Sequence, residues 1–212
     1  MTEIKVCGIK KEDDLLRLID LNVTWAGFVF YKDSIRNVDY NHKSLFEVAR
    51  NKIGIVGLFV NPKNEFISKI VQKVKPDLIQ LHGSETPGRC NEIKKMFGIP
   101  IMKAIEVKNS ESFKDVYEYE EIVDRFLFDS KLTMQKLQGN KTNTLNWEIL
   151  KKYNGSKKWM LAGGLNHRNI LEAIKKSNSK NIDVSSGVES SPGVKSKELI
   201  NKFIHKIRSL KS

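Results

Sequence analysis

The sequence predicts a single domain over residues 1–212 with the fold of a (β/α)8 barrel. Eight short apolar segments of strand length alternate with longer segments of helical period. The apolar segments are nearly continuous, which indicates parallel strands buried on both faces beneath helices. The turn after the first strand reads CGIKK and lacks the GxGxxG pattern, so the alternative of an open doubly wound sheet is less favoured.

The elements follow one another with no linker between them. The predicted strands are EIKVCGI (3–9), WAGFVF (25–30), IGIVGLFV (53–60), DLIQL (77–81), IMKAI (101–105), RFLFD (125–129), KWMLA (158–162) and IDVSS (182–186). Segments with apolar residues at helical spacing predict helices over 11–22, 42–51, 64–75, 90–98, 110–121, 146–153, 166–177 and 196–210.

The net charge of +12 suggests nucleic acid as a partner, but the residue types argue against it. Thirty of the 37 basic residues are lysine and only seven are arginine, spread along predicted helices. Nucleic-acid grooves rely on arginine with interleaved aromatic residues. We therefore expect no nucleic-acid partner, and a basic surface that attracts a small anionic substrate.

Cysteine use and hydropathy predict a cytoplasmic protein. The two cysteines lie 83 positions apart without a CxxC motif, which fits neither a disulfide framework nor a zinc site. The N-terminal segment does not resemble a signal peptide, and no apolar run reaches the roughly 18 residues of a membrane span. We expect no membrane partner, and the sequence leaves open whether the barrel is a monomer or a homodimer.

Chemistry in such barrels lies at the carboxyl ends of the strands. The first predicted strand reaches Cys7 before a glycine, and the loop after the second carries Arg36. The fourth strand ends in QLH, which supplies Gln80 and His82, and the sixth ends in Asp129.

The last two loops predict a phosphate site. LAGGLNHRN (161–169) contains Gly163 and Gly164, and DVSSGVESSPG (183–193) contains Ser185, Ser186 and Gly187. Glycines let backbone N–H groups approach an anion closely, and a short helix here would direct its N-terminus at a phosphate. Barrels often bind phosphate at this place.

Seven segments in order resemble the phosphoribosylanthranilate isomerase family of tryptophan biosynthesis. They are KVCGIK, GFVFYKDSIR, VGLFVN, IQLHGSE, FLFDS, LAGGLNHRN and DVSSGVESSPGVKS, and they span residues 4 to 196. The resemblance implies a cofactor-free and metal-free Amadori rearrangement of a phosphorylated anthranilate aminoaldose to the aminoketose. It implies Cys7 as the general base and Asp129 as the general acid. Arg36 would bind the anthranilate carboxylate, and Asp183 would lie near the sugar hydroxyls.

The chemistry of the rearrangement suits these residue types. The acid protonates the furanose oxygen, which opens the ring to a Schiff base, and the base then removes the C2 proton. An apolar surround such as FLF favours the protonated form of Asp129. Lys5 shares a strand face with Cys7, so we expect its ammonium to favour the thiolate. His82 is expected to line the substrate pocket without transferring a proton.

Each residue also has a structural interpretation. Free cysteine is often simply buried, as we expect of Cys90, and Asp129 taken alone fits a loop cap equally well. Arg36 could be a surface charge, and His82 could anchor its loop. Other phosphate-binding barrels, namely indole-glycerol-phosphate synthase and the aminoaldose isomerase of the histidine pathway, are rival functions, as are an RNA-binding protein and a diverged barrel that binds a related ligand without catalysis.

The sequence departs from the family in one loop. Where the family carries GGTGxxF(D/N)W, residues 139–147 read GNKTNTLNW, so that only Gly139, Asn146 and Trp147 match. This loop closes over the substrate in the family, and fewer glycines stiffen it. The departure leaves substrate and phosphate affinity open but does not touch Cys7 or Asp129.

Overall fold

Eight parallel strands close into a barrel in the computed structural model, which describes residues 2–129 and 147–211. The strands pair in sequence order, and the last returns to the first, where Lys5 lies opposite Asp183. This confirms the predicted fold. The strands are β1 (Glu3–Cys7), β2 (Trp25–Val29), β3 (Gly54–Phe59), β4 (Leu78–Leu81), β5 (Ile101–Glu106), β6 (Arg125–Asp129), β7 (Lys158–Ala162) and β8 (Asn181–Val184).

Helices cover the outside of the barrel. They are α1 (Glu12–Asp20), α2 (Lys43–Ala49), α3 (Asn64–Val74), α4 (Pro87–Phe97), α5 (Ser112–Glu118), α6 (Ile170–Ser177) and α7 (Lys197–Arg208). Local sequence explains where two of them begin. Thr86 caps α4 by accepting a hydrogen bond from the Arg89 amide, with Pro87 in the first turn, and Ser196 caps α7 through the Leu199 amide.

Several boundaries differ from the predictions for local reasons. β1 ends at Cys7 because Gly8 has a φ of +83°, and β8 ends at Val184 because Ser185 leaves the extended region. The predicted sixth helix is a short 3₁₀ segment, Trp147–Lys152. The predicted helix after β8 is a single 3₁₀ turn, Ser186–Val188, followed by the unpredicted hairpin of β9 (Glu189–Ser191) and β10 (Val194–Lys195).

The core has two parts, inside and outside the barrel wall. The inside is filled by Val56, Leu78, Met102, Ala104, Leu127, Met160 and Ala162, with Trp25 packed against them. Outward-facing strand residues and the inner faces of the helices form the larger part. Because the lower interior is packed with side chains, the barrel interior opens at the carboxyl ends of the strands in the part of the chain that the structure describes. In the described part of the chain, no helix has the length and apolar character needed to cross a membrane.

Candidate active site

A cavity of about 250 Å³ lies at the carboxyl ends of the strands. It brings together nine of the ten residues predicted for the site: Cys7, Arg36, His82, Asp129, Gly163, Gly164, Asp183, Ser185 and Ser186. Apolar walls come from Val29, Leu58, Val60 and Leu165. A pocket of apolar walls with a few converging polar groups has the form of a small-molecule site.

Cys7 lies beside a buried ion pair. The Lys5 side chain is fully buried, and its Nζ donates to Oδ1 of Asp183 at 2.9 Å. Burial alone would lower the pKa of Lys5, but the attractions of Asp183 and of Cys7 outweigh it and raise that pKa. The ammonium is therefore a fixed positive charge next to the thiol, as expected from the shared strand face.

Gly27, which the sequence analysis did not single out, makes room for this arrangement. It lies opposite Cys7 in the β1–β2 register. A Cβ at Gly27 would lie 2.9 Å from Sγ of Cys7 and 3.1 Å from Cε of Lys5. The absence of a side chain lets both groups pack against the strand. Strand pairing would have revealed it, because parallel neighbours in register share a face.

Asp129 ends β6 at the cavity, across from β1, and His82 lies near it. Nε2 of His82 is 3.9 Å from Oδ2 of Asp129, and Nδ1 is 2.9 Å from Nε2 of Gln80. Desolvation in the cavity lowers the pKa of His82 below its ordinary value, although Asp129 opposes that shift. His82 is thus neutral at neutral pH, and a Gln80 amide that donates to Nδ1 leaves the Nε2 proton facing Asp129.

Arg36 lines the cavity but already has a carboxylate partner. Its Nε and Nη2 donate to Oε1 and Oε2 of Glu189 at 2.7 and 2.6 Å. The aliphatic part of Arg36 packs on Gly8, where a Cβ would lie 2.7 Å from Cδ of the arginine. Arg36 is therefore held in place, which argues against a simple surface charge. The sequence analysis missed Glu189, although it is a charged residue inside the DVSSGVESSPGVKS segment.

The two glycine-rich loops meet at one side of the cavity. Gly163 and Gly164 have φ values of +97° and +63°, and Ser185 and Ser186 line the same cavity. In the described part of the chain, no hydrogen bond engages the amides of Gly164 and Ser186. These amides are available to an anion.

Gly187 differs from the other residues predicted for the phosphate site, because it does not line the cavity. A Cβ on Gly187 would lie 1.8 Å from the Leu165 carbonyl oxygen. Its lack of a side chain lets the loop after β8 pack directly on the loop after β7. We therefore interpret Gly187 as a packing residue at this junction.

The loop that departs from the family pattern falls mostly outside the described residues. Positions 139–146 lie outside the described residues. Trp147, the last residue of the segment, is described and has a buried side chain. Among residues 2–129 and 147–211, no group of three or more His, Cys, Asp or Glu side chains could hold a metal ion.

Comparison with known proteins gives a consistent family assignment. The family model described as N-(5'phosphoribosyl)anthranilate (PRA) isomerase matches residues 4–206. An N-(5'-phosphoribosyl)anthranilate isomerase of Rhizobium leguminosarum bv. trifolii is 40% identical over 95% of this chain and 91% of its own length.

Solved structures agree with that assignment. A phosphoribosyl anthranilate isomerase in complex with reduced 1-(o-carboxyphenylamino)-1-deoxyribulose 5-phosphate has a TM-score of 0.85 and 29% identity, over 99% of this chain and all of that one. Monomers generated from the dimeric enzyme of Thermotoga maritima superpose with a TM-score of 0.83 at 30% identity, with the same coverage. The chain belongs to the N-(5'-phosphoribosyl)anthranilate isomerase family.

Proposed function

We propose that this protein isomerises N-(5-phosphoribosyl)anthranilate to 1-(2-carboxyphenylamino)-1-deoxyribulose 5-phosphate in tryptophan biosynthesis, without a cofactor. The observation that carries the proposal is the placement of Cys7 and Asp129 on separate strands across one cavity. A sugar between them would meet a proton donor on one side and a proton acceptor on the other.

Asp129 acts first, as the general acid. Its carboxyl proton passes to the furanose ring oxygen, the bond between C1 and that oxygen breaks, and the nitrogen lone pair forms the C1=N bond of a Schiff base. Leu127, which is buried two residues before Asp129 on the same strand face, gives the carboxyl group an apolar neighbour on β6. Nε2 of His82 lies 3.9 Å from the Asp129 carboxylate that remains.

Cys7 then acts as the general base. Its thiolate takes the proton from C2, the C1–C2 double bond forms, and the electron pair of the C=N bond returns to nitrogen. The resulting enolamine tautomerises to the ketone at C2. Lys5 supports this step because its buried ammonium stabilises a neighbouring negative charge on sulfur.

The remaining site residues hold the substrate. Arg36 binds the anthranilate carboxylate, and the loops that carry Gly163, Gly164, Ser185 and Ser186 hold the phosphate through backbone N–H groups. Asp183 and His82 line the same cavity and would contact the sugar hydroxyls. The net charge of +12 would attract such an anionic substrate.

We also propose a setting for the protein. Residues 1–212 form one domain in the cytoplasm, which the two unpaired, buried cysteines support. The description of a related enzyme as dimeric supports a homodimer. Light scattering on the purified protein tests it: a mass near 49 kDa, twice the chain mass of 24.3 kDa, would show the dimer.

Turnover tests the proposed chemistry. Phosphoribosylanthranilate is generated in situ, and the loss of its fluorescence is followed with wild type, Cys7→Ser and Asp129→Asn. We expect wild-type turnover and a loss of at least about 100-fold in each variant. Cys90→Ser and the exposed Asp115→Asn are matched controls that should stay near wild type.

Two results would contradict the proposal. Full activity in Cys7→Ser would mean that another group removes the C2 proton. A folded wild type that binds the product but does not turn over the substrate would favour the diverged, non-catalytic barrel.

A further inference from the structure

Three charged residues form an ion triad beside the cavity, in which the guanidinium of Arg36 remains partly exposed. Glu189 accepts from Arg36 on both of its oxygens and from Nζ of Lys195 at 2.8 Å. The side chains of Glu189 and Lys195 are 3% and 1% exposed, so this carboxylate and ammonium are removed from water. None of the proposed chemical steps uses Glu189, yet the burial of its carboxylate and of the Lys195 ammonium costs desolvation and calls for a reason.

We propose that Glu189 is a positioning residue that orients Arg36 for the carboxylate of the aromatic ring, and so sets the preference for anthranilate over an uncharged aniline. This inference rests on the proposed function, because it assumes that Arg36 meets the ring carboxylate. It adds the residue by which the recognition becomes selective.

The guanidinium is held by one edge. Nε and Nη2 form a two-point contact with the Glu189 carboxylate, which fixes the plane of the group. Among the described residues, no hydrogen bond engages Nη1. The N–H groups of Nη1 therefore remain for a ligand in the cavity that Arg36 lines. A free arginine would lose more side-chain entropy on binding the same carboxylate.

The Glu189 carboxylate is itself anchored to the phosphate side. Lys195 donates to the Ser185 carbonyl oxygen at 3.0 Å as well as to Glu189. The Gly193 amide is the third partner of the Glu189 carboxylate, to which it donates at 3.1 Å. Glu189 thus ties Arg36 to the loop after β8, which fixes the position of the guanidinium relative to the phosphate loop.

The charges of the triad suit a single ligand carboxylate. Two cations and one carboxylate leave one net positive charge next to the cavity. Burial would raise the pKa of Glu189, but the bonds from Arg36 and Lys195 overcome it and lower that pKa to about 2. The carboxylate therefore stays charged throughout the working pH range, and the ligand carboxylate completes a balanced set of four charges.

Binding measurements test the inference independently of turnover. Titration calorimetry gives Kd for the product and for its analogue without the ring carboxylate, 1-phenylamino-1-deoxyribulose 5-phosphate. In Glu189→Gln we expect Kd for the product to rise about 10-fold and Kd for the analogue to change less than about 3-fold. Glu198→Gln, an exposed residue of α7 paired with Lys202, is the matched control and should keep both values.

The ratio of the two Kd values decides the outcome. If both Kd values rise by the same factor in Glu189→Gln, or neither changes, their ratio is unchanged. That result would overturn the positioning role and leave Glu189 as a structural residue. In Arg36→Met the Kd values for the product and the analogue should become similar. A preference for the product that persists in Arg36→Met would overturn the inference, because Arg36 would then not be the group that binds the ring carboxylate. Absence of wild-type turnover with an intact ratio would instead overturn only the proposed catalysis.

Discussion

Lys5 and Lys103 are both buried and both donate to a carboxylate at 2.9 Å, but they lie on opposite faces of the barrel wall. Lys5 points inward, and its partner Asp183 lines the cavity. Lys103 points outward from β5, and its partner Glu85 lies in the loop after β4. We call Lys5, Cys7 and Asp183 the mouth cluster, and Glu85, Cys90, Lys103 and Tyr119 the sealed cluster.

The polar side chains of the sealed cluster form hydrogen bonds with backbone groups. Nζ of Lys103 donates to the Gly83 carbonyl oxygen at 2.7 Å, and the Glu85 carboxylate accepts from the Asn61 and Gly83 amides. The Tyr119 hydroxyl donates to the Glu85 carbonyl oxygen. This ion pair therefore fastens the loops after β3 and β4, whereas the mouth cluster keeps its thiol and carboxylate at a wall that a ligand can reach. The comparison indicates that a buried ion pair can serve catalysis when its carboxylate borders a cavity and stabilises the fold when its carboxylate is bound by backbone amides.

The largest predicted effect is on the sealed cluster. Lys103→Met leaves the Glu85 carboxylate buried without its cation, so the free energy of unfolding should fall by about 3–5 kcal/mol. Urea unfolding measures the loss, with the exposed Lys69→Met as the matched control. A loss no larger than that of the control would show that the sealed cluster does not hold the fold together.

Glu189 provides a pH test for a buried carboxylate that is paired with the cavity-lining Arg36. Its folded-state pKa of about 2 lies below the ordinary 4.5, so the stabilisation is present above pH about 5 and is lost as pH falls toward 2. Full loss corresponds to about 3 kcal/mol. The gap in unfolding free energy between wild type and Glu189→Gln should therefore shrink between pH 6 and pH 3 in urea titrations. A gap that stays constant over this range would contradict the ion triad.

Lys5→Met should affect activity more than stability, whereas Lys103→Met should affect stability. Asp183 borders the cavity and can regain water there, so we expect a smaller loss of stability than for Lys103→Met. Without the ammonium beside Cys7, kcat/KM should fall about 10- to 100-fold. The rate of Cys7 alkylation against pH isolates the cause. An unchanged alkylation profile in Lys5→Met would refute the support of the thiolate by Lys5.

The two cysteines should differ in reactivity as their clusters differ in access. Burial raises the pKa of Cys90 to about 11, and the residue is fully buried in the sealed cluster, whereas Cys7 lines the cavity. Iodoacetamide at pH 8 should therefore alkylate Cys7 and leave Cys90 intact, as read by mass spectrometry of peptides. Both should react in 6 M guanidinium chloride, which is the control. Equal labelling of the folded protein would contradict the sealed character of Cys90.

The features of the site that depend on the order and ends of the strands could be predicted from the sequence. The strand ends placed Cys7 and Asp129 at one rim because the rule for parallel barrels needs only the order of the strands. The outward direction of Lys103 could not be predicted from the sequence, since apolar residues lie on both faces of IMKAI. Sequence reasoning also missed the pairing of Arg36 with Glu189, because the two residues lie 153 positions apart in separate loops. Such contacts depend on loop packing, which no periodicity records.

The division of labour between acid and base is the central claim, and an isotope effect tests it most directly. Phosphoribosylanthranilate deuterated at C2 of the ribose is compared with the unlabelled substrate in Cys7→Ser and Asp129→Asn. Weakening the base should make C2–H cleavage slow and produce a large primary isotope effect on kcat in Cys7→Ser. Weakening the acid should make ring opening slow and leave the effect near unity in Asp129→Asn. A large effect in Asp129→Asn with none in Cys7→Ser would contradict the assignment of the two roles.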